Sequence, residues 1–545
     1  MKKTIRHIIL ALLLLLAAFL YYYITIPAFN LHSIGTWWFL IGAVAALGVL
    51  SFLRRAFRER KKIELKPGHI QVEVKAGIVT KVCFSAAGIL LLVFLVGSVA
   101  SSPIVNAKKY QQLMTVEEHD FTADISQVDY NTIPILDKDS AALLGDRKMG
   151  SMVDMVSQFE VSNDYSQINV NNKPVRVSPL VYASGIKWLT NQSEGIPAYI
   201  KIDMATQDTE CVKLPDSIKY SKGEYLNRNI YRHLRFRYPT YIFTEQLFFE
   251  IDDEGTPFWI CPVKKFNIGL FGGVTIGNVV ICNAITGECT DYKIEDVPQW
   301  VDKVYQAELL MGLYDYNGTL KHGYFNSILG QKDCLQTTNG YNYIALDDDV
   351  WVYSGVTSVS GDQSNVGFVL MNQRTMETRF YKIEGATEES AMSSAEGQVQ
   401  NLGYNATFPL LLNIAGEPTY FMALKDDAGL VKMYAMVNIQ KYQWVATGDS
   451  IRECEKSYRD LLRNNGLAGA VSEENQSASG KIKNIMPVNI EGTSHIYFAL
   501  DGNALIFDVD LSNTDLLDII HYSAGDTIRI SYLEGDSPAK VTEIE

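Results

Sequence analysis

Three long apolar runs near the N-terminus constrain this chain more than any other feature. They are Ile8–Phe29, Trp37–Leu53 and Val82–Ser101, and none of them contains Asp, Glu, Lys or Arg. A helix of about 20 such residues crosses the roughly 30 Å hydrocarbon core of a bilayer. The sequence therefore predicts three transmembrane helices within a membrane anchor of residues 1–102, with the lipid bilayer as a partner.

The distribution of charge predicts how this anchor is oriented. Of the 48 Lys and Arg residues, 12 lie in residues 1–102, which hold only 3 of the 62 Asp and Glu residues. These basic residues precede the first run or lie in the loop 54–81, and the turn 29–36 has none. By the positive-inside rule, the N-terminus and this loop are cytoplasmic and residues 103–545 are extracytoplasmic. The acidic outer part also argues against a nucleic-acid partner.

Cysteine and histidine positions give no metal or cofactor pattern. Six of the seven cysteines lie in residues 103–545, where disulfides are permitted, but their spacing is irregular and whether they pair stays open. Cys282 and Cys289 flank a predicted hairpin turn, which makes them the first pair to test. No CxxC occurs and no two histidines have metal-ligand spacing. We therefore predict no cofactor and no metal.

Residues 181–465 carry a repeated turn signature. It starts with Asp or Asn, usually has Thr three residues on, and has an acid or amide two residues later. The copies begin at Asp203, Asn283, Asn372 and Asn438. The first side chain is expected to cap the turn, and the Gly or a polar residue is expected to take the left-handed position of the hairpin loop. A strand flanks each turn on either side. The last three copies also have a further upstream strand and a following helix, which gives a predicted three-strand-plus-helix unit. The upstream strands are Leu247–Val263, Tyr343–Tyr353 and Leu410–Leu424, and the helices are Val297–Leu310, Glu388–Gln400 and Ser450–Leu462.

The remaining segments complete a predicted α+β fold. Residues 103–180 form a helical connector, because the apolar residues of Ser140–Phe159 partly follow helical spacing. Residues 466–482 have the Gly, Ser and Ala content of a flexible linker. Residues 483–545 show three strands, a short helix and two strands, which resembles an OB-type barrel. A protein-docking role is the favoured interpretation of that barrel.

One stretch resembles a known family. Gly255-Thr-Pro-Phe-Trp259 precedes a strand that ends in Asn283-Ala-Ile-Thr-Gly-Glu288. This arrangement resembles the PepSY type of envelope module, mainly over residues 246–311. Weaker echoes fall at 182–238, 340–402 and 408–465. The resemblance implies an extracytoplasmic location and proposed peptidase-regulating roles.

Two groups of residues are candidate ligand contacts. Arg228, Arg232 and Arg235 share one side of a predicted helix Gly223–Arg237, where they either bind an anionic ligand such as a wall polymer or pair with nearby carboxylates. The second group is aromatic and is interleaved with Gly and Asn, which suits either a groove for a peptide or glycan or plain core packing. Its members are Tyr316, Tyr324, Tyr343 and Trp351.

No catalytic motif occurs in the sequence. We therefore predict a non-enzymatic, membrane-anchored extracytoplasmic protein that binds or scaffolds cell-envelope components, with other envelope or membrane proteins as partners. One alternative is a membrane-bound hydrolase that acts on wall or surface substrates through carboxylates and histidines from distant parts of the chain. Another alternative is an envelope sensor that signals through a partner.

Overall fold

The computed structural model describes residues 2–60, 76–125, 134, 136–171, 173–346, 348–359, 364–467, 475–490, 493–511, 513–533 and 538–544. It is a mixed α+β fold, as predicted. The chain forms two compact units. The first contains residues 1–413 and 418–454, and the second contains residues 414–417 and 455–545.

The first unit begins with three helices: α1 (Lys2–Thr25), α2 (Ile34–Arg60) and α3 (Ile78–Ala100). Two segments, Ile34–Arg58 and Ile78–Ala100, are long and apolar enough to cross a membrane. The apolar part of α1 among the described residues is shorter, so a third span stays a prediction. Most of the predicted basic loop, at residues 61–75, lies outside the described residues.

The segment predicted as a helical connector contains strands as well as helices. Its elements are α4 (Pro103–Gln111), β1 (Glu117–His119), α5 (Phe121–Asp124), α6 (Lys138–Gly150), β2 (Phe159–Val161), β3 (Ser166–Val170) and β4 (Lys173–Tyr182). The predicted helix over 140–159 stops at Gly150, because Gly and the following Ser151 are weak helix formers. Phe159 instead begins a strand that pairs with β4. The first sheet therefore starts well before residue 181.

Four sheets and their helices follow along the chain. Further strands are β5 (Ile196–Asp203), β6 (Thr209–Ile218), β7 (Phe248–Ile251), β8 (Pro257–Ile268), β9 (Gly272–Asn283), β10 (Cys289–Lys293), β11 (Leu335–Thr337), β12 (Asn342–Leu346), β13 (Asp349–Ser358), β14 (Ser364–Asn365), β15 (Gly367–Asn372), β16 (Thr378–Tyr381), β17 (Gly385–Ala386), β18 (Asn405–Ala406), β19 (Leu410–Ile414), β20 (Glu417–Lys425), β21 (Val431–Asn438) and β22 (Val445–Gly448). The helices are α7 (Gly185–Asn191), α8 (Ile230–Arg237), α9 (Ala307–Thr319), α10 (Glu388–Gln398) and α11 (Ile451–Asn464).

Each of these four sheets contains the hairpin that carries a copy of the repeated turn, and β14 and β17 form a separate two-stranded sheet. The strand orders are β2-β4-β5-β6 with β3 beside β4, β10-β9-β8-β7, β1-β16-β15-β13-β11 with β12 beside β13, and β18-β20-β21-β22 with β19 beside β20. The prediction of three strands per unit was wrong: in chain order the four sheets have five, four, six and five strands. The upstream candidates are themselves hairpins, because Gly255, Asp348 and Gly416 adopt positive φ angles and reverse the chain.

The turn chemistry matches the prediction. In the first three copies the leading side chain accepts backbone N–H bonds from the residues two and three positions on, at 2.8–3.0 Å. In the fourth copy, Asn438 accepts from the third position alone among the bonds described. The fifth position is left-handed in three copies, with φ of 64° at Gln207, 75° at Gly287 and 68° at Met376.

This geometry predicts opposite effects for two substitutions. Gly287→Ala should destabilise the fold by about 1–3 kcal/mol, because a Cβ there would lie 2.4 Å from the ring of Tyr220. Gln207→Gly should stabilise it by about 0.5–1 kcal/mol, because a non-glycine residue is strained at positive φ. Urea unfolding of the full chain in detergent measures both. A loss of stability in Gln207→Gly would contradict the argument from backbone strain.

Neighbouring sheets share cores, so the inner sheets are buried on both faces. Alternate residues of one strand enter different cores, as the pattern of side chains across a pleated strand requires. Ile200 of the first sheet and Trp259 of the second lie in one core. Ile260 of the second sheet and Val352 of the third lie in the next core. Tyr353 of the third sheet and Tyr420 of the fourth lie in another. This double burial explains the continuous apolar runs in these strands. It also explains why each unit needs its neighbours.

The second unit contains a closed five-stranded barrel. Its strands are β23 (Asn475–Ile490), β24 (Thr493–Leu500), β25 (Ile506–Asp510), β26 (Thr527–Leu533) and β27 (Ala539–Ile544), with a short 3₁₀ helix at Thr514–His521. The barrel order is β23-β24-β25-β27-β26. The predicted linker 466–482 is shorter than expected, because residues 475–482 belong to β23, where they pair with β26 and close the barrel. Residues 468–474 of that linker lie outside the described residues.

Candidate functional site

The tip of the β8–β9 hairpin lies against the ends of the apolar helices. The Ser101 hydroxyl oxygen, just after α3, accepts the backbone N–H groups of Leu270 at 2.8 Å and Phe271 at 3.2 Å. The Phe271 ring centroid lies 5.2 Å from that of Phe94 on α3. His32, between α1 and α2, has its Nδ1 2.7 Å from the Leu270 carbonyl oxygen. The sheet is therefore fixed to the helix ends by direct contacts.

The predicted basic face takes part in the same attachment. The Arg235 Nε donates to the Ile26 carbonyl at 3.0 Å, and burial lowers the pKa of its guanidinium. The Arg232 guanidinium lies 4.9 Å from the centre of the Tyr23 ring, and its Nε is buried with no hydrogen-bond partner among the described residues. These two side chains contact the end of α1, through a carbonyl and an aromatic ring.

The predicted helix Gly223–Arg237 is interrupted. Asn229 is extended, with φ −61° and ψ 122°, and its side-chain amide donates to the carbonyls of Lys222 and Glu224. Such local side-chain bonds compete with helix formation. A 3₁₀ turn at Leu226–Arg228 therefore precedes α8. Arg228 lies outside α8 and donates to the Gln192 carbonyl.

The four predicted aromatic contacts do not line one groove. Tyr316 and Tyr324 pack beside the small cluster formed by Tyr110, Ile268 and Leu320. Tyr343 packs beside the core between the second and third sheets, with the Lys303 Nζ 4.2 Å from its ring centre. Trp351 is 1% exposed in the core between the third and fourth sheets. The structure thus distributes these side chains over three separate clusters.

The described residues of two acidic stretches, 252–254 and 347–349, lie at the β7–β8 and β12–β13 turns, and Asp349 is the first residue of β13. Asp252 accepts the Thr256 N–H at 2.7 Å across the β7–β8 turn. Asp348 has a φ of 64° between β12 and β13. Asp349 accepts two hydrogen bonds from the Arg374 guanidinium, at 2.7 and 2.8 Å. Asp347 lies outside the described residues.

A cluster of two thiols and one imidazole is the most distinctive chemical site in the described part of the chain. Cys282 and Cys289 are directly opposed across the β9–β10 hairpin, and both are buried. His233 extends from α8, with its Nε2 2.7 Å from the Gly287 carbonyl oxygen. One ligand atom from each residue lies within 4.8 Å of the other two. We call these three residues the Cys–His cluster.

Hydrogen bonds polarise the Cys–His cluster. A hydrogen bond from the Cys282 thiol, together with another from His233, lowers the pKa of Cys289 to about 5, and burial opposes this shift. The pKa of Cys282 is raised, first by the same hydrogen bond and then by burial. The hydrogen bond to Cys289 also raises the pKa of His233. Cys289 is therefore the thiol of the pair that loses its proton more readily, and a thiolate is the form that binds metals and attacks disulfides.

Sequence reasoning identified only part of the Cys–His cluster. The turn signature located Cys282 and Cys289 on facing strands, because hairpin register follows from local turn chemistry. His233 comes from a helix that precedes these strands by several elements, and only tertiary packing brings it near. All seven cysteines are free thiols in this structure.

A surface cleft of about 530 Å³ lies beside α5 and β16. Its lining includes His119, whose Nδ1 is 2.7 Å from an Asp124 carboxylate oxygen. The Tyr381 hydroxyl, also at the cleft, donates to the same oxygen at 2.9 Å. This arrangement pairs an imidazole with an orienting carboxylate, which is one element of an acid–base site.

Comparison with known proteins leaves the family of this chain open. No protein-family model matches it, and no curated protein matches it. The resemblance to PepSY modules at residues 246–311 therefore stays a prediction.

Proposed function

We propose that this chain is a non-enzymatic protein that is anchored in the membrane by its N-terminal helices. It binds or scaffolds cell-envelope components on the extracytoplasmic side of that membrane. The observation that carries the proposal is the direct attachment of the β8–β9 hairpin and α8 to the helix ends, through Ser101 and Arg235. A domain attached in this way reaches only partners that are themselves close to the bilayer. Membrane proteins are therefore the favoured partners.

The orientation in this proposal follows from the positive-inside rule. The cytoplasmic part would then contain the N-terminal end of α1, with Lys2, Lys3 and Arg6, and the basic residues of 54–81. Three spans would then leave the four sheets and the barrel outside. The candidate anionic ligands are less favoured, because Arg228, Arg232 and Arg235 already contact carbonyls or a ring.

An exposed apolar patch on the first sheet's helix is the surface we assign to a protein partner. Ile186 is 74% exposed and Leu189 is 62% exposed on α7. The Trp188 ring of this helix lies 4.8 Å from the Tyr225 ring, and Leu226 beside it is 59% exposed. Contiguous exposed apolar side chains of this kind mark interaction surfaces.

The second unit supports the same role. In its barrel the first strand pairs with both the second and the fourth, and the short helix lies between the third and fourth strands. This order resembles the OB type of barrel. We assign it a docking role for a protein partner.

Two measurements test the proposal in the full-length protein. For orientation, a membrane-impermeant maleimide should label Val153→Cys on intact cells and should label Arg58→Cys only after permeabilisation. For binding, a photocrosslinking amino acid at Ile186 should give discrete adducts with membrane proteins, whereas the same group at Glu210, on β6, should not. Labelling of Arg58→Cys on intact cells, with labelling of Val153→Cys only after permeabilisation, would exclude the orientation. An absence of adducts at Ile186 would exclude the patch.

A short π-helix (Asn326–Gly330) beside the attachment should reach the lipid. Phe325 is 70% exposed and Leu329 is 81% exposed, whereas the neighbouring Tyr324 packs near Tyr110, which binds the Ser101 carbonyl. Exposed aromatic and aliphatic side chains in this position favour the interfacial region of a bilayer. We expect an environment-sensitive fluorophore on Leu329→Cys in lipid nanodiscs to be quenched by nitroxide-labelled lipids. The same label on Val153→Cys serves as the water-exposed control.

The hydrolase alternative has one specific observation in its favour, the His119–Asp124 pair at the cleft. If the chain hydrolyses a wall fragment or surface peptide through this cleft, His119→Ala should remove that activity. His322→Ala, at an exposed histidine outside the cleft, should retain it. Hydrolysis that depends on His119 would replace the scaffold proposal.

A further inference from the structure

We propose that the Cys–His cluster of His233, Cys282 and Cys289 binds one thiophilic d¹⁰ metal ion, Zn²⁺ or Cu⁺. His233 shares α8 with the attachment residues Arg232 and Arg235, but none of the three donor groups makes an attachment contact or belongs to the α7 patch, so the site goes beyond the proposed function. Thiolate sulfur and imidazole nitrogen are the donors that these ions prefer. The three donor atoms already lie within 4.8 Å of one another, close to the roughly 3.5–4 Å that zinc bond lengths imply for neighbouring ligands.

The fold holds these donors in a fixed arrangement. The β9–β10 register sets Cys282 opposite Cys289, and the Asn283 side chain ties the intervening turn. His233 is oriented by its contact with the Gly287 carbonyl. A backbone carbonyl on the ring of a metal-bound histidine is a frequent outer partner that sets the orientation of the ring. Small inward rotations of side chains, with no movement of the strands, would close the site.

Cys261 distinguishes between the two ions. It lies on β8 opposite Val280, while Trp259 lies opposite Cys282, so Cys261 is the diagonal neighbour of Cys282 on the same face of the sheet. Cys261 is fully buried in the same core. A zinc ion takes four ligands in structural sites, and Cys261, which lies outside the group within 4.8 Å, would have to approach to serve as the fourth donor. A cuprous ion is satisfied by the three donors of the cluster alone.

A Cys282–Cys289 disulfide is the competing chemistry. Asn283 and Glu288 form the hydrogen-bonded pair next to the turn, so Cys282 and Cys289 form the adjacent non-hydrogen-bonded pair, whose side chains approach closely. A disulfide would consume both sulfur ligands. The metal and the disulfide are therefore mutually exclusive occupants of one position.

The test uses the full-length protein in detergent, reduced and kept free of oxygen. Competition against chromophoric chelators should show one equivalent of Zn²⁺ or of Cu⁺ bound to the wild type. His233→Gln, Cys282→Ser and Cys289→Ser should each weaken binding at least about 100-fold. Cys334→Ser, a buried cysteine elsewhere, is the matched control and should bind as the wild type does. Cys261→Ser should weaken Zn²⁺ binding and leave Cu⁺ binding unchanged.

A second measurement keeps the proposal testable if a variant misfolds. In the wild type, the bound ion should protect Cys282 and Cys289, but not Cys211, from alkylation followed by mass spectrometry. Failure of the reduced wild type to bind either ion would overturn the proposal. Recovery of a metal-free Cys282–Cys289 disulfide from native membranes would overturn it as well.

Discussion

Trp351→Ala should remove about 3–5 kcal/mol of local stability from the third sheet. The indole is 1% exposed in the core between the third and fourth sheets, and its Nε1 donates to the Leu346 carbonyl at 3.1 Å. The Arg379 guanidinium lies 4.5 Å from the ring centre and covers one face. Truncation removes these contacts and leaves a cavity. Hydrogen–deuterium exchange of β12 and β13 peptides should show protection reduced by a factor of 100 or more.

The controls for Trp351 separate core packing from ligand binding. Tyr442→Ala, at an aromatic residue that is 46% exposed, should change stability by less than about 0.5 kcal/mol. Trp351→Phe should lose only part of the effect, because it keeps most of the buried volume and loses the hydrogen bond to Leu346. If Trp351→Ala left the hydrogen–deuterium exchange of β13 unchanged, Trp351 would not be a core residue. The prediction that it contacts a ligand would then be favoured again.

The sequence predicted those parts of the fold that depend on local chemistry. The Asx-led turns at Asp203, Asn283 and Asn372 were predictable, because each side chain binds the backbone only two or three residues away. Each upstream stretch was predicted as one strand, but Gly255, Asp348 and Gly416 reverse the chain within these stretches through positive φ angles. Apolar runs buried on both faces do not show where a strand ends.

The candidate site depended more on tertiary packing. Density of aromatic residues cannot distinguish a groove from a core, and Trp351 and Val352 show why: these adjacent residues enter two different cores. The Arg residues had the right spacing for a shared face, but Asn229 interrupts that helix, so α8 starts at Ile230 and Arg228 lies outside it. The Cys–His cluster needs His233 to reach a hairpin formed later in the chain, and no local pattern encodes that contact.

Raising the pH from about 4.5 to about 7 should remove about 3 kcal/mol of the stability of the first unit through the ionisation of Glu250. Glu250 is fully buried, and burial raises the pKa of its carboxyl group from 4.5 to about 7, although backbone N–H groups and Lys303 oppose this shift. Burial and the nearby Glu250 also raise the pKa of Asp302. The unfolded chain loses these protons at a lower pH than the folded chain, so the folded state binds more protons in this interval. Stability therefore falls as pH rises.

Glu250→Gln tests the origin of this dependence, because the amide does not ionise. Urea midpoints of the full chain in detergent, followed by tryptophan fluorescence between pH 4.5 and 8, should vary less for Glu250→Gln than for the wild type. Glu254→Gln, at an exposed position in the same hairpin, should keep the slope of the wild type.

Above about pH 7 the wild-type curve should level off as far as Glu250 is concerned. The pKa of Asp302 extends the decline in the same direction, because Asp302 Oδ1 has no hydrogen-bond partner among the described residues and its charge is unfavourable there. A wild-type stability that rose between pH 5 and 7 would show that both carboxyl groups are ionised in the fold, with Lys303 as the dominant neighbour.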